Sequence, residues 1–206
     1  MIGRASFLAS YLSYAASFVP LTTRRFGPQR GLSMTRVSDE CANLLNQQVT
    51  REFESCQLYM SACIWCHEQD LEGMAAYMLQ ESDEERSHAL RIIDFAQKRD
   101  IPLKLDALPA PRADWKNALD LWSDILQAEK DNTNSLYLLA DLAQDCREHA
   151  LMAFLIPFHE EQYESEDHLE TITAKVKDES KTPGLIRQLD KELGDGVKAK
   201  LAGKTI

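Results

Sequence analysis

The segment Glu85-Arg86-Ser87-His88 places a carboxylate and an imidazole on the apolar face of a predicted helix. Residues of this face recur every three or four positions, the spacing that puts side chains on one side of an α-helix. They are Met74, Met78, Glu81, Glu85, His88, Ile92 and Phe95. Both ends of the series are apolar, whereas the middle is polar. Burying that middle is very costly unless its polar groups are paired or bind a metal ion.

Three other segments repeat this pattern of an apolar helical face with polar residues near its middle. The first is Leu45, Val49, Glu52, Cys56, Tyr59, Cys63, Cys66, and the second is Trp115, Ala118, Trp122, Ile125, Glu129, Asn132, Leu136, Leu139. The third is Leu151, Phe154, Phe158, Gln162, Ser165, Leu169, Ile172, Val176. If the four faces meet in a bundle, one buried place receives Glu52, Glu85, His88, Glu129 and Gln162.

The chemistry of this set favours a metal site. Oxygen ligands with one imidazole suit iron or manganese, and zinc can imitate them. Three carboxylates exceed the charge of one divalent ion, so the set favours two ions. Each residue alone has an ordinary explanation, since a single glutamate can extend to solvent and Glu-x-x-His occurs on many surface helices. The metal site is favoured because the same anomaly occurs on four helices.

The connections predict how the helices are arranged. The predicted helices cover about 39–68, 72–99, 114–145 and 147–178, with a short fifth helix at 185–193. Only three residues join the first two helices, which predicts an antiparallel hairpin. Segment 100–113 contains three prolines and can reach roughly 46 Å at about 3.3 Å per residue. A 28-residue helix is about 42 Å long. The segment can therefore cross the whole bundle, which makes the second and third helices parallel. Within the fourth helix, Pro157 predicts a kink.

From about residue 38 to the end, the chain resembles the ferritins. In that family a Glu with a Tyr seven residues later is followed by Glu-x-x-His, then Glu, then Gln. The matching residues here are Glu52 with Tyr59, Glu85 with His88, Glu129, and Gln162. Glu52 and Glu85 are 33 residues apart, as are Glu129 and Gln162, which resembles the bacterial type. The resemblance implies an all-α, ferritin-like four-helix bundle with one long crossover and a short fifth C-terminal helix.

The resemblance also implies a function: an iron-storage subunit with ferroxidase activity. Such a subunit oxidises Fe(II) to Fe(III) with O₂ or H₂O₂ at a buried di-iron centre and stores a ferric mineral in a cage of 24 copies. The implied iron ligands are Glu52, Glu85, His88, Glu129 and Gln162. Glu85 would bridge the two irons, and Tyr59 would supply an electron or hydrogen-bond a bound oxygen species.

Departures from related chains refine this expectation. Arg86 stands where bacterioferritin-like chains carry a haem-ligating methionine, so no haem is expected. Ser165 replaces an acid that helps hold a third iron, leaving Glu81, Glu84 and Glu164 as candidate ligands for that position.

Two alternative functions remain open. One is a ferritin-like di-iron redox enzyme, a peroxidase or oxidase, without storage. It would need a second Glu-x-x-His or a rubredoxin-like cysteine pair, whereas the last long helix carries Gln162-Tyr163-Glu164-Ser165. The other is a non-catalytic structural ferritin subunit, which would lack the ligand set.

Composition separates the chain into two parts. Residues 1–34 contain four arginines and no acid, whereas residues 35–206 carry 19 basic and 33 acidic side chains. The acidic part is expected to be the ferritin-like domain, with no nucleic-acid partner. No apolar run is long enough to span a membrane. The five cysteines lack the spacing of a zinc or redox motif, which predicts reduced, buried thiols within helices.

Residues 1–34 are predicted to be an organelle-targeting presequence. The sequence Ala15-Ala16-Ser17-Phe18-Val19-Pro20, after a short hydrophobic stretch, resembles the junction of a bipartite plastid signal. The arginine-containing segment 24–33 would instead suit a mitochondrial presequence. The prediction is a plastid, with the mitochondrion as the alternative.

Overall fold

The computed structural model describes residues 37–179 and 184–203, apart from the side chain of Glu179. Within these ranges the backbone forms five α-helices and no β-strand. They are α1 (Asp39–Glu68), α2 (Glu72–Lys98), α3 (Ala118–Asp145), α4 (His149–Glu179) and α5 (Leu185–Gly203). The predicted all-α fold class is confirmed. The presequence prediction for residues 1–34 lies outside the described residues.

Helix α1 has the predicted bounds because local chemistry marks both of its ends. Ser38 Oγ accepts a 3.1 Å hydrogen bond from the Cys41 amide and so caps the first turn. Asp39 and Glu40 add negative charge at the positive end of the helix dipole. After the helix, Asp70 has a φ of 57°, a left-handed conformation that reverses the chain. Helices α1 and α2 therefore form the predicted antiparallel hairpin.

Segment 99–117 crosses the bundle lengthwise along α1. Asn46 Nδ2 donates a 3.1 Å hydrogen bond to a carbonyl near the start of the segment, and Ser61 donates at 2.7 Å to a carbonyl near its end. Helices α2 and α3 consequently begin at the same end of the bundle, where the rings of Tyr77 and Trp122 have centroids 5.3 Å apart. The predicted crossover and the parallel orientation of α2 and α3 are confirmed.

Two apolar clusters fill the bundle, one toward each end. Fully buried members of the first include Met74, Met78, Trp122 and Ile125, and those of the second include Leu45, Ile92, Leu151 and Leu155. The polar residues of the four predicted faces lie between the clusters. Most predicted face residues are buried. Those that are half-buried are Cys56, His88, Phe95, Ala118, Phe154 and Ser165.

Helix α5 is longer than predicted, because Gly194 does not end it. The helix continues through two glycines to Gly203, beyond the expected end at residue 193. A Cβ placed on Gly194 would lie 3.1 Å from Gly73 Cα of α2, so the two helices cross backbone to backbone. Local propensity disfavours glycine in a helix, but this close crossing needs it.

Helix α5 also caps α2. The α2 N-cap residue, Leu71, has no side-chain acceptor. Asp190 of α5 accepts a 2.7 Å hydrogen bond from the Met74 amide instead. A residue distant in sequence thus satisfies a free amide of the first turn.

The cysteine prediction is wrong at one position. Cys146 follows α3 as its C-cap and is exposed, because the turn into α4 lies at the surface. Of the other four, Cys41, Cys63 and Cys66 are buried and Cys56 is half-buried, all within α1. All five are free thiols.

Among the helices in ranges 37–179 and 184–203, none combines the length and apolarity required to cross a membrane.

Candidate metal centre

The polar layer between the two apolar clusters contains all the residues predicted to form the centre. Helix α1 contributes Glu52 and Tyr59, α2 contributes Glu85 and His88, and Glu129 and Gln162 come from α3 and α4. All are buried except the His88 side chain, which is 14% exposed. The four helices thus bring five oxygen-bearing side chains and one imidazole into the bundle interior.

Glu52, Glu85 and His88 form the most compact part of the layer. Each offers one ligand atom, and these three atoms all lie within 4.8 Å of one another. His88 Nδ1 is 3.8 Å from Glu52 Oε2 and 3.6 Å from Glu85 Oε2. Glu85 Oε2 is buried and has no hydrogen-bond partner. A buried oxygen without a donor is costly in a protein interior, so this donor set fits a cation.

Glu129 lies beside this group and is held by two donors. The Tyr59 hydroxyl donates to its Oε1 at 2.5 Å, and Gln162 Nε2 donates to its Oε2 at 2.9 Å. Gln162 Nε2 also lies 3.1 Å from Thr133 Oγ1. Burial, and next the nearby Glu129 charge, raises the pKa of Tyr59 well above its ordinary value, so the phenol keeps its proton as a donor.

Burial raises the pKa values of Glu52, Glu85 and Glu129 above those of exposed glutamates. The Glu85 carboxylate raises the pKa of Glu52 further, and the Glu129 carboxylate raises that of Glu85. Hydrogen bonds from Tyr59 and Gln162 lower the pKa of Glu129 and so partly offset its burial. Three carboxyl groups this close need a cation, or protons, to be stable together.

A cavity of about 250 Å³ between α2 and α4 leads to this layer. Its lining consists of Glu81, Glu84, Glu85, Ser87, His88, Arg91, Glu161, Gln162 and Ser165. Two of the three proposed third-site acids, Glu81 and Glu84, therefore face the cavity with Ser165. Glu164 is exposed and is not part of the lining.

Several supporting residues were not predicted from the sequence. Glu161 Oε2 lies 3.2 Å from His88 Nε2, and Arg91 contacts both Glu161 oxygens at 2.6 and 2.9 Å. A carboxylate on the second imidazole nitrogen is the usual way to orient a metal-binding histidine. In the sequence, the only indication of this role was that Glu161 directly precedes Gln162.

On the opposite side, Gln48 and Asn132 contact Glu52. Asn132 was a polar residue of the predicted α3 face without an assigned role.

Fold and site together define a four-helix bundle with a long crossover and a buried carboxylate–histidine cluster that could hold metal. Residues 42–178 match the Ferritin-like domain family. The chain belongs to the ferritin family, as its motifs predicted.

Individual relatives agree with this assignment. A bacterial non-heme ferritin from Staphylococcus saprophyticus is 33% identical over 135 residues, which cover 66% of this chain and 81% of that protein. The crystal structure of apo-ferritin from Pseudo-nitzschia multiseries is 53% identical, with a TM-score of 0.73, over 74% of this chain and 98% of that one. A PmFTN variant soaked overnight in iron is 52% identical over the same shares, also with a TM-score of 0.73. The ferritin-like fold class is confirmed.

Proposed function

We propose that the chain is an iron-storage ferritin subunit that oxidises Fe(II) at a di-iron ferroxidase centre. The observation that carries the proposal is the buried group of Glu52, Glu85 and His88, with ligand atoms within 4.8 Å of one another and one glutamate oxygen without a donor. Family membership and an iron-soaked neighbour with the same fold support the choice of iron as substrate.

The two Fe(II) ions would use different parts of the layer. Glu52, Glu85 and His88 are already close enough to receive the first ion. Glu129 and Gln162 would receive the second, with Glu85 between the two. Both oxygens of Glu129 accept hydrogen bonds, one from Tyr59 and one from Gln162 Nε2. Gln162 would bind the second ion through its amide oxygen, because only that oxygen can be a ligand.

The redox chemistry needs two electrons for each oxidant molecule. Two Fe(II) ions each give one electron, which reduces O₂ to H₂O₂ or H₂O₂ to water, with protons taken from solvent. The carboxylates stabilise the higher charge of Fe(III), while the apolar clusters on either side exclude bulk water. Tyr59, held on Glu129, is placed to supply a further electron or a hydrogen bond.

Storage requires assembly and a path for the product. We propose a homo-oligomeric cage of 24 copies, as in the family, in which the ferric product leaves through the cavity between α2 and α4 and forms a mineral. The lining of this cavity includes Glu81 and Glu84, which would attract cations.

Native mass and iron loading test this function together. A particle near 24 subunits that takes up far more than two irons per chain is the expected result. A small assembly that holds two irons per chain and turns over another substrate would indicate a di-iron redox enzyme. A cage that mineralises without a fast oxidation phase would indicate a structural subunit. Either of these results would overturn the proposal.

We also propose that residues 1–34 direct the chain to a plastid, on the strength of their sequence. A fluorescent protein fused after residue 34 should enter plastids. Entry into mitochondria would support the alternative, and retention in the cytosol would refute both.

A further inference from the structure

A buried amide network lies behind Glu52, on the side away from the cavity. Gln48 and Asn132 are 0% and 1% exposed, and Glu52 is 0% exposed. Gln48 precedes Glu52 by one helical turn of α1, whereas Asn132 lies on α3 and reaches Glu52 across the bundle. Burying an amide side chain destabilises a protein unless its polar atoms have hydrogen-bond partners.

Each polar atom of the two amides has a partner. Gln48 Nε2 donates to Glu52 Oε1 at 2.7 Å and to Asn132 Oδ1 at 2.7 Å, which uses both of its hydrogens. Asn132 Nδ2 donates to Glu52 Oε2 at 3.3 Å. Gln48 Oε1 accepts a 2.7 Å hydrogen bond from Ser135 Oγ.

The Glu52 carboxylate sets the orientation of both amides, because an ionised carboxylate only accepts hydrogen bonds. The Gln48 nitrogen therefore faces Glu52 and the Asn132 oxygen, and the Asn132 nitrogen faces Glu52. The remaining Gln48 oxygen accepts from Ser135. Turning either amide would place an oxygen against the carboxylate, and fully satisfied buried networks are rigid. Both Glu52 oxygens are thus engaged by donors.

The consequence concerns how Glu52 can bind metal. Oε1 accepts the 2.7 Å hydrogen bond from Gln48, while Oε2 lies 3.8 Å from His88 Nδ1. Oε2 accepts one weaker hydrogen bond and keeps a second lone pair for a cation.

We infer that Gln48 and Asn132 are positioning residues that hold Glu52 as a one-oxygen ligand, presenting Oε2 beside His88. The inference rests on the proposed function, since it takes Glu52 to be a metal ligand. In this arrangement the first metal position is organised before metal arrives. Removing a supporting partner of this kind typically weakens metal binding about 10- to 100-fold.

Cobalt(II) binding to the assembled protein tests the inference without relying on oxidation activity. The absorption of bound Co(II) is titrated for the wild type, for Gln48→Met and for Asn132→Leu, which keep approximate size and remove the donors. Each variant should bind the first cobalt equivalent about 10- to 100-fold more weakly. The control is Gln127→Met, because Gln127 is an exposed amide of α3 that donates to Asp131, away from the centre. It should match the wild type within about twofold, since surface substitutions are usually near-neutral.

Measurements in a protein that already carries Glu52→Ala distinguish the positioning of Glu52 from a general effect on packing. When Glu52 is already replaced by alanine, adding Gln48→Met should weaken the remaining cobalt binding by less than about twofold, because coupled residues are not additive. An equal loss in both backgrounds would show a packing effect and overturn the inference. Unchanged cobalt affinity in Gln48→Met and Asn132→Leu would overturn it as well.

The wild-type crystal structure with cobalt gives an outcome that does not depend on variants folding. Glu52 should bind through Oε2 alone, with Gln48 still on Oε1. Binding through both oxygens, or loss of the Gln48 contact, would contradict the inference and leave the proposed function intact. No cobalt at Glu52 or His88 would overturn both.

Discussion

The Tyr59 hydroxyl of α1 donates a 2.5 Å hydrogen bond to Glu129 Oε1 of α3. This contact joins the first and third helices at the middle of the bundle, where the phenol is 2% exposed. It is therefore both a structural link and a restraint on a candidate metal ligand.

Replacing Tyr59 by phenylalanine should destabilise the metal-free protein. A buried carboxyl group that loses one donor costs about 1–3 kcal/mol, and each kcal/mol lowers the melting temperature by roughly 2–4 °C in a chain of this size. Zinc should reduce the difference, because the metal then satisfies Glu129. The same substitution at Tyr163, which is 76% exposed, is the matched control. Equal melting temperatures for wild type and Tyr59→Phe without metal would contradict this role.

Replacing His88 or Glu52 by alanine should abolish the fast phase of Fe(II) oxidation and leave the assembly folded. Either change removes a ligand atom from the compact group, whereas the apolar clusters that hold the bundle are untouched. Stopped-flow absorbance after Fe(II) addition measures the fast phase. His67→Ala is the control, because His67 is a half-exposed histidine at the end of α1, paired with Glu72. Wild-type oxidation rates in His88→Ala would refute the assignment of the centre.

The metal-free protein should become less stable as pH rises from about 5 to about 8. Burial raises the pKa of Glu81 to about 7, and it raises those of Glu52, Glu85 and Glu129 above the ordinary value of 4.5. An acid with a raised pKa holds its proton longer in the folded state than in the unfolded state. Its stabilising effect is therefore complete at low pH and is lost as pH rises through the folded pKa.

Melting curves in a chelator at several pH values measure this trend. His159 and His168 oppose it near pH 6.5, since burial lowers their pKa values, but both are less buried than the glutamates. Glu85→Gln should reduce the fall in melting temperature with rising pH, because a glutamine side chain is never charged. A melting temperature that climbs steadily between pH 5.5 and 8 would show that these carboxyl groups are not destabilised by ionising.

Replacing Gly73 by alanine should detach α5 from α2. A Cβ at this position would lie 1.7 Å from the Asp190 carbonyl oxygen and 2.9 Å from the Gly194 amide nitrogen, both backbone atoms. The Asp190 cap on α2 would be lost with the contact, costing about 0.5–2 kcal/mol besides the lost packing. Gly196→Ala is the matched control, because nothing lies within 4 Å of its Cβ position. It should be neutral or stabilise by up to about 1 kcal/mol. Limited proteolysis of α5 distinguishes the two variants.

The contrast between α1 and α5 explains how much of this fold the sequence could predict. Helix α1 matched its predicted bounds because Ser38 and the turn at Asp70 act within a few residues of its ends. Helix α5 did not, because Gly194 is accommodated by Gly73, a contact more than a hundred residues away in sequence.

The same division applies to the candidate centre. Its six predicted residues lie together because the four apolar helical faces pack against one another. They could be predicted because each is polar on such a face, a signal that periodicity alone can detect. Gln48, Arg91 and Glu161 gave no such signal, because their importance depends on which side chain they meet across the bundle. The exposed position of Glu164 follows from helix geometry instead. Glu164 is two residues after Gln162 and so lies roughly 200° around the helix from the buried face.

The last prediction concerns Ser165, which lines the cavity with Glu81 and Glu84. A hydroxyl is a neutral and poor ligand for Fe(III), so two well-occupied iron positions per subunit are expected, with a weak third. Two of the acids in the cavity lining already have basic partners. Glu161 is paired with Arg91, and Lys200 lies 3.7 Å from Glu84.

Ser165→Glu should strengthen the third position, because it adds a carboxylate to the cavity wall. Product should then leave more slowly, seen as a fast first burst of oxidation followed by slower turnover. The control is Ser165→Gln, which introduces a side chain of the same size as glutamate without its charge. It should leave the oxidation burst and the later turnover near those of the wild type. Anomalous diffraction from iron-soaked crystals counts the positions directly. A third iron at full occupancy in the wild type would show that Glu81 and Glu84 are sufficient ligands and that Ser165 does not limit this site.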